Sequence, residues 1–502
     1  MKRITIDPIT RLEGHGKITI FLDDRGDVAN AYFQVPEFRG FEAFCEGRPV
    51  EEMPRITQRI CGVCPMAHHM AAAKAADAVF GVEPPPAALR IRELAYSAFV
   101  SGDHATHFYV LAGPDFIVGP EADPAERSIL GVIGQVGMTM GRRVIQHLQE
   151  THEVVALLGG RFVHPVMALP GGVSKAVTAE MQTRLQEIGE DLVEFGLFSL
   201  DLWRQTVLGN PAYREMIESE AYLHRTHSMG LVDADNRLNF YDGNVRVVDV
   251  EGYEMARYAP QEYRDYVAER VEPWSYVKLP YLKQIGWRGL EDGMESGVYR
   301  ATPLGRLNAA EGMATPRAQE AYEEYLEAMG GKPVHATLAT HWARLVELLY
   351  AGERMLELAR HPELTDPHVR VIPDGIVGEG VGTVEAPRGT LTHHYITDER
   401  GIITRANLIV GTTNNHAAIC MSIKKAAQSL IGGGRPVTQG LLNKVEMAFR
   451  AYDPCFACAT HALPGEMPLE IRIYDHEGQL QTQLQRHTES TGPHARYEER
   501  LS

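Results

Sequence analysis

The chain has 502 residues and a formal net charge of −17, with 44% hydrophobic and 23% charged residues, an ordinary balance for a globular protein with an ample core. The acidic balance and the lack of any basic run exclude a nucleic-acid binder. No apolar run approaches the roughly 18 residues that a membrane-spanning helix needs, so direct membrane insertion is not expected. Met1-Lys2-Arg3-Ile4-Thr5-Ile6-Asp7 carries no signal-peptide core, which predicts a cytoplasmic setting.

In chain order, Lys17-Ile18-Thr19-Ile20-Phe21-Leu22 and Val28-Ala29-Asn30-Ala31-Tyr32-Phe33 alternate around an Asp/Gly turn and predict a hairpin. Residues 66–79 are rich in alanine with apolar spacing, which predicts a buried helix, and Pro84-Pro85-Pro86 ends that unit. Further helices are expected over 87–111, 125–158 and 178–205, and again over 335–360 and 439–452. Residues 222–299 break into short strands with many aromatics, expected to form a peripheral elaboration. Residues 391–396 and 402–410 predict a second hairpin. No repeat and no low-complexity linker divides the chain. The expectation is an α+β fold, mainly helical, with a long central helix bundle and small antiparallel sheets. Residues 1–502 would form a single intertwined unit.

Four of the six cysteines form two Cys-x-x-Cys pairs near opposite ends, Cys61/Cys64 and Cys455/Cys458. Six cysteines in so long a chain make no disulfide framework, so the pairs read as a metal or redox site that brings the two ends together. Structural zinc is the ordinary reading of four cysteines. Against it, the core is ample and needs no staple, and a histidine follows each pair closely, His68 and His461. Soft thiolates also select nickel and iron. The residue chemistry leaves zinc and a thiolate redox metal level. Taken singly, Glu13 reads as a solvated turn residue and Glu42 as an exposed helix carboxylate. Asp103, His104 and His107 read as packed or solvated helix residues, and Arg388 as a turn residue facing water. Cys45 and Cys420 read as small buried residues.

Arg59-Ile60-Cys61-Gly62-Val63-Cys64-Pro65-Met66-Ala67-His68, together with Asp453-Pro454-Cys455-Phe456-Ala457-Cys458-Ala459-Thr460-His461, resembles the paired signatures of the nickel–iron hydrogenase large (catalytic) subunit. Four more segments match in order: Thr10-Arg11-Leu12-Glu13-Gly14-His15, Arg39-Gly40-Phe41-Glu42, Asp103-His104-Ala105-Thr106-His107-Phe108-Tyr109 and Ala386-Pro387-Arg388-Gly389. The resemblance implies an enzyme that splits or forms hydrogen heterolytically. It places Cys61, Cys64, Cys455 and Cys458 on nickel, with Cys64 and Cys458 bridging to an iron that carries carbon monoxide and cyanide. It implies that Cys455 or Arg388 takes the proton, with Cys455 favoured, that Glu13 relays it outward, and that Asp103 and Asp453 anchor Arg388. Thr412, Pro387 and Arg388 would line the diatomic ligands. Glu42, the carbonyl of Leu408 and His461 resemble the ligands of a magnesium site. The family often has Pro and Trp where this chain has Gly411 and Asn414.

Beyond Cys45 and Cys420 no cysteines remain, too few for iron–sulfur clusters, so the resemblance implies an iron–sulfur small subunit, and further electron-transfer subunits beyond it. No GxGxxG follows a strand, which sends any nicotinamide or deazaflavin to another subunit. Glu42–Arg48 and Thr460–Leu463 look most like the cytoplasmic multimeric branch, linked to NAD(P), ferredoxin or a heterodisulfide reductase. The family also implies nickel-insertion factors and a maturation protease that would remove residues 462–502. Within that segment, Leu469–Tyr474 and Gln479–Gln481 predict a hairpin. Two rivals stand beside this reading: a zinc-stabilised binding protein, and a related subunit of a quinone-reducing respiratory complex, which lacks the four cysteines.

Overall fold

The computed structural model describes residues 2–7, 9–433, 436–460, 469–474, 480–487 and 496–501. At its centre the helix Thr340–Ala359 packs against Ala179–Trp203 and Pro86–Thr106, and Pro86–Thr106 packs in turn against Met138–Gly159. Small sheets surround this bundle, as an α+β fold requires. Lys2–Ile6, Lys17–Leu22 and Val28–Gln34 form one antiparallel sheet, and Glu379–Ala386, Gly389–Thr397 and Ile403–Ile409 form another. No helix among the described residues is long and apolar enough to cross a membrane.

The alanine-rich helix Pro65–Phe80 is buried on nearly every face. Its small side chains let the strand Glu379–Ala386 lie directly on it. A Cβ at Gly382 would fall 2.1 Å from the Ala71 carbonyl oxygen, so only glycine permits this approach. The contact carries function, because the helix begins just after Cys64 and the strand ends just before Arg388. Ala386 pairs with Gly389, leaving Pro387 and Arg388 as the two-residue tip of a hairpin.

Three expectations need correction. The helix expected over 125–158 is two, Ile129–Val136 and Met138–Gly159, because Gly137 adopts φ 84° and breaks the run. The helix expected over 87–111 is α-helical only to Thr106, and His107–Ala112 and Pro114–Val118 continue as π-helical turns. Residues 222–299 are not peripheral. The strand His227–Val232 is buried at all six positions, and its Leu231 amide donates to Glu385 Oε1 at 2.7 Å. Residues 469–474 and 480–487 pair antiparallel and a third strand, Arg496–Leu501, extends them. Gln479 lies outside the described residues.

Candidate metal centre

The fold brings both cysteine pairs to one point. The four sulfurs lie within 4.8 Å of one another. Cys61 Sγ stands 3.4 Å from Cys455 Sγ, Cys64 Sγ 3.3 Å from Cys458 Sγ, and Cys455 Sγ 2.9 Å from Cys458 Sγ. All six cysteines are free and buried, including Cys45 and Cys420. Four thiolates on one ion at about 2.3 Å would stand about 3.8 Å apart in a tetrahedron, so the cage has the size of a metal site. Local structure aims the sulfurs. Cys64 caps the N-terminus of Pro65–Phe80, where the helix dipole favours a thiolate. Cys61 Sγ accepts from the amides of Val63 and Cys64, both at 3.2 Å. Hydrogen bonds from the other three cysteines hold Cys61 well below the usual thiol range, whereas burial pushes Cys455 and Cys458 up. A soft cation would relieve that conflict by binding all four as thiolates.

Glu13 reaches this cage from the N-terminal segment. Cys455 Sγ donates to Glu13 Oε2 at 3.0 Å, and the Ala457 amide donates to the same oxygen at 3.1 Å. The Phe456 amide donates to the Glu13 carbonyl at 3.1 Å, so the segments are stitched in parallel. Gly14 makes room: it sits at φ 87°, and a Cβ there would lie 3.0 Å from Ala457 N. Burial, then the neighbouring Cys61, push the Glu13 carboxyl above its usual range. Thr412 Oγ1 accepts from the Cys455 amide at 3.0 Å, which leaves its own proton free to donate. Gly411 suits this place because a Cβ would lie 2.9 Å from the Gly389 backbone.

Arg388 lies over the cage between two carboxylates. Its Nη2 stands 3.1 Å from Asp103 Oδ1 and 3.0 Å from Asp453 Oδ2. Burial works to lower the guanidinium, but Asp103 and Asp453 outweigh it and hold Arg388 further above its ordinary value. Burial raises both carboxyls against the pull of Arg388. Asp453 has φ 55°, a left-handed backbone that costs a non-glycine residue about 1–2 kcal/mol. His107 Nε2 is 3.9 Å from Asp453 Oδ1.

Behind the hairpin tip lies a sealed ionic network that sequence reasoning missed apart from His104. Arg306 Nη2 pairs with Glu347 Oε2 at 2.6 Å, and Arg306 Nη1 with Glu385 Oε2 at 3.1 Å. Arg306 Nη1 also donates to the Ala386 carbonyl at 2.8 Å. Arg344 donates to the carbonyls of Pro387, at 3.3 Å, and Ala451, at 3.1 Å. His104 Nε2 meets Glu347 Oε2 at 2.9 Å. Burial would push Glu347 up, but Arg306 overcomes it and holds the carboxyl down at about 2. The available signal was charge at Arg344 and Glu347 amid the apolar positions 343, 345, 346 and 348 of one helix.

Glu42 and Leu408 are also brought together, with the Leu408 amide, rather than its carbonyl, donating to Glu42 Oε1 at 2.7 Å. Lys278 Nζ holds the same oxygen at 3.0 Å and Glu269 Oε1 at 3.1 Å. His461 lies outside the described residues. The loop between Cys61 and Cys64 reaches the surface. Val63 is 42% exposed beside buried Cys61 and Cys64. Arg59 Nη1 meets His164 Nδ1 at 2.9 Å, Arg161 Nε donates to the His164 carbonyl at 2.9 Å, and Arg39 reaches the Arg59 carbonyl. Among the described residues none of these three arginines pairs with a carboxylate. The helix Ile129–Val136 buries only Val132, and Leu130, Met138 and Phe162 are exposed.

This constellation belongs to a class of metalloenzymes, and comparison with known proteins identifies it. A family profile described as nickel-dependent hydrogenase matches residues 39–129 and 143–461, and one described as HoxL-like matches residues 3–38. The chain belongs to the nickel-dependent hydrogenase family, as a catalytic large subunit. It is 49% identical to an F420-non-reducing hydrogenase iron-sulfur subunit of Archaeoglobus profundus, over 96% of this chain and 99% of that one. It is 38% identical to the NAD-reducing hydrogenase HoxS subunit beta of Cupriavidus necator, over 95% and 98%. A crystal structure of an NAD+-reducing NiFe hydrogenase in the H2-reduced state superposes with a TM-score of 0.85 at 38% identity, over 92% of this chain and all of that one. The family implies a nickel–iron centre, and the four-thiol cage fits one. The zinc-stabilised reading falls away.

Proposed function

We propose that Cys61, Cys64, Cys455 and Cys458 would hold nickel, and Cys64 and Cys458 iron as well, in a reversible hydrogenase. The observation that carries this reading is the four-sulfur cage with Glu13 Oε2 3.0 Å from Cys455 Sγ. When bound, the nickel–iron centre supplies heterolytic cleavage or formation of hydrogen. The chain supplies the proton's path and a fixed electrostatic frame. Cys455 Sγ holds the proton and Glu13 Oε2 carries it outward. Arg388 stays protonated between Asp103 and Asp453, which favours Cys455 over the guanidine as base. Arg388, Pro387 and Thr412 would line the carbon monoxide and cyanide ligands of the iron. Magnesium at Glu42, the Leu408 carbonyl and His461 would share Glu42 with the Lys278 ammonium.

Electrons leave through an iron–sulfur small subunit that docks where Val63 is exposed. The three arginines, unpaired with carboxylates among the described residues, suit an anionic cluster seat, and the exposed apolar helix Ile129–Val136 suits a protein interface. The final acceptor is NAD(P), or a ferredoxin or heterodisulfide reductase module, in a cytoplasmic complex with further subunits; the name of the NAD-reducing relative supports the first of these. Residues 1–461 act as one intertwined unit, and a maturation protease removes 462–502 after nickel-insertion factors load the site. The family match ending at residue 461 supports that boundary.

The test is hydrogen-dependent reduction of NAD(P) and of ferredoxin by the purified native complex, beside hydrogen/deuterium exchange. Exchange with reduction of one acceptor is expected. Absence of exchange in a nickel-loaded complex would overturn the reading.

A further inference from the structure

Glu13 and Cys455 are each preceded, two residues earlier, by a strained turn: Arg11 has φ 59° and Asp453 has φ 55°. Both turns lead to one buried carboxylate. Asp115 is 1% exposed. Its Oδ1 accepts from Arg11 Nη2 at 2.5 Å and from Asn443 Nδ2 at 3.0 Å, and its Oδ2 accepts from Arg450 Nη1 at 3.2 Å. Arg11 also donates to the Leu111 carbonyl at 2.9 Å and to Asn443 Oδ1 at 3.0 Å. Arg450 Nε donates to the Thr10 carbonyl at 3.3 Å, and the Arg450 carbonyl accepts from the Asp453 amide at 3.0 Å and from His107 Nε2 at 2.8 Å. Asp115 itself sits in the π-helical turn Pro114–Val118, a widened geometry that re-aims side chains and that recurs at functional sites.

We propose that Asp115 is a positioning residue for proton transfer, tying the Arg11 turn to the Arg450–Asp453 turn and thereby fixing the separation of Glu13 Oε2 and Cys455 Sγ. The proposal rests on the relay reading above. Asp115 touches neither member of the proton pair. It acts through two guanidinium groups that share it, Arg11 in the segment that leads to Glu13 and Arg450 at the end of the helix Gln439–Arg450 that leads to Cys455. Left-handed turns at non-glycine residues persist only where surrounding contacts over-determine them. At Arg11 those contacts converge on Asp115 and its neighbours Asn443 and Leu111.

The experiment uses the nickel-loaded native complex carrying Asp115→Asn, with Glu13→Gln as control. Hydrogen/deuterium exchange, the solvent isotope effect on hydrogen oxidation, nickel content and the infrared bands of the iron ligands are read together. Asp115→Asn should keep nickel and bands, slow exchange on the order of 100-fold, as a displacement of about 1 Å can, and enlarge the solvent isotope effect. Wild-type exchange and isotope effect in Asp115→Asn would overturn the proposal. If that variant does not fold, Arg11→Lys, which spares Asp115 but removes the forked donor, reads the same geometry. Intact bands with slowed exchange support the proposal, and lost nickel in both variants makes Asp115 a folding residue and overturns it. Undiminished exchange in Glu13→Gln defeats the relay reading itself. A block in Glu13→Gln alone defeats only the assignment of Asp115.

Discussion

The two Cys-x-x-Cys pairs hold one cage from opposite environments. Around Cys61 and Cys64 the intervening Gly62 and Val63 face the surface, and Arg39, Arg59 and Arg161, linked through Arg59 and His164, have no carboxylate partner among the described residues. Around Cys455 and Cys458 the intervening Phe456 and Ala457 are buried, and backbone and side-chain hydrogen bonds brace the pair against Glu13 and Thr412. The same four ligand atoms thus meet an exposed loop on one side and a braced interior on the other, the sides to which the proposed reading assigns subunit docking and proton handling. A redox centre that separates electrons from protons needs that asymmetry.

The largest effect should come from removing one of the four sulfurs on which both halves depend. Cys458→Ser is expected to abolish nickel binding and exchange, read by metal analysis. Next, Glu13→Gln should cost roughly 10²- to 10⁴-fold in hydrogen/deuterium exchange while the infrared bands stay in place, which breaks the interior half alone. Glu347→Gln leaves Arg306 short of one carboxylate in a sealed core, and chemical denaturation of the native complex should show a loss of roughly 3–5 kcal/mol. The same network carries a pH signature. Because Glu347 is held at about 2, its contribution is present above the unfolded carboxyl value near 4.5 and is lost as pH falls through the folded value. Stability of the wild-type complex should therefore fall across that interval more steeply than that of Glu347→Gln.

Much of the site was legible because its chemistry is written in contiguous motifs. The two cysteine pairs, Glu13, Asp103 and Arg388 come together as expected, and Arg388 is buried rather than facing water. The network behind them was not legible. Arg306, Arg344, Glu347 and Glu385 come from separate elements, and a charged residue in an apolar helix reads as a solvated face until its partners are known. Gly137 was likewise hidden inside an apolar pattern that continues on both sides of it. The strand His227–Val232 misled for the opposite reason, since a fully buried strand shows no alternation. His461 lies outside the described residues and Leu408 meets Glu42 through its amide rather than its carbonyl, so of the three expected ligands only Glu42 presents the expected atom.

The smallest expected effect sharpens the surface half. Val63→Asp should leave nickel and infrared bands intact yet weaken capture of the iron–sulfur subunit by about tenfold or more, since a charge buried in an interface costs at least about 1.4 kcal/mol. Size-exclusion chromatography across a dilution series would read it.

The most direct test of the four-thiolate nickel–iron centre is an infrared spectrum of the purified native complex in the window of metal-bound carbon monoxide and cyanide, with metals counted on the same sample. Bands in that window with one nickel per chain are predicted. A blank window with zinc in the cage would contradict the account.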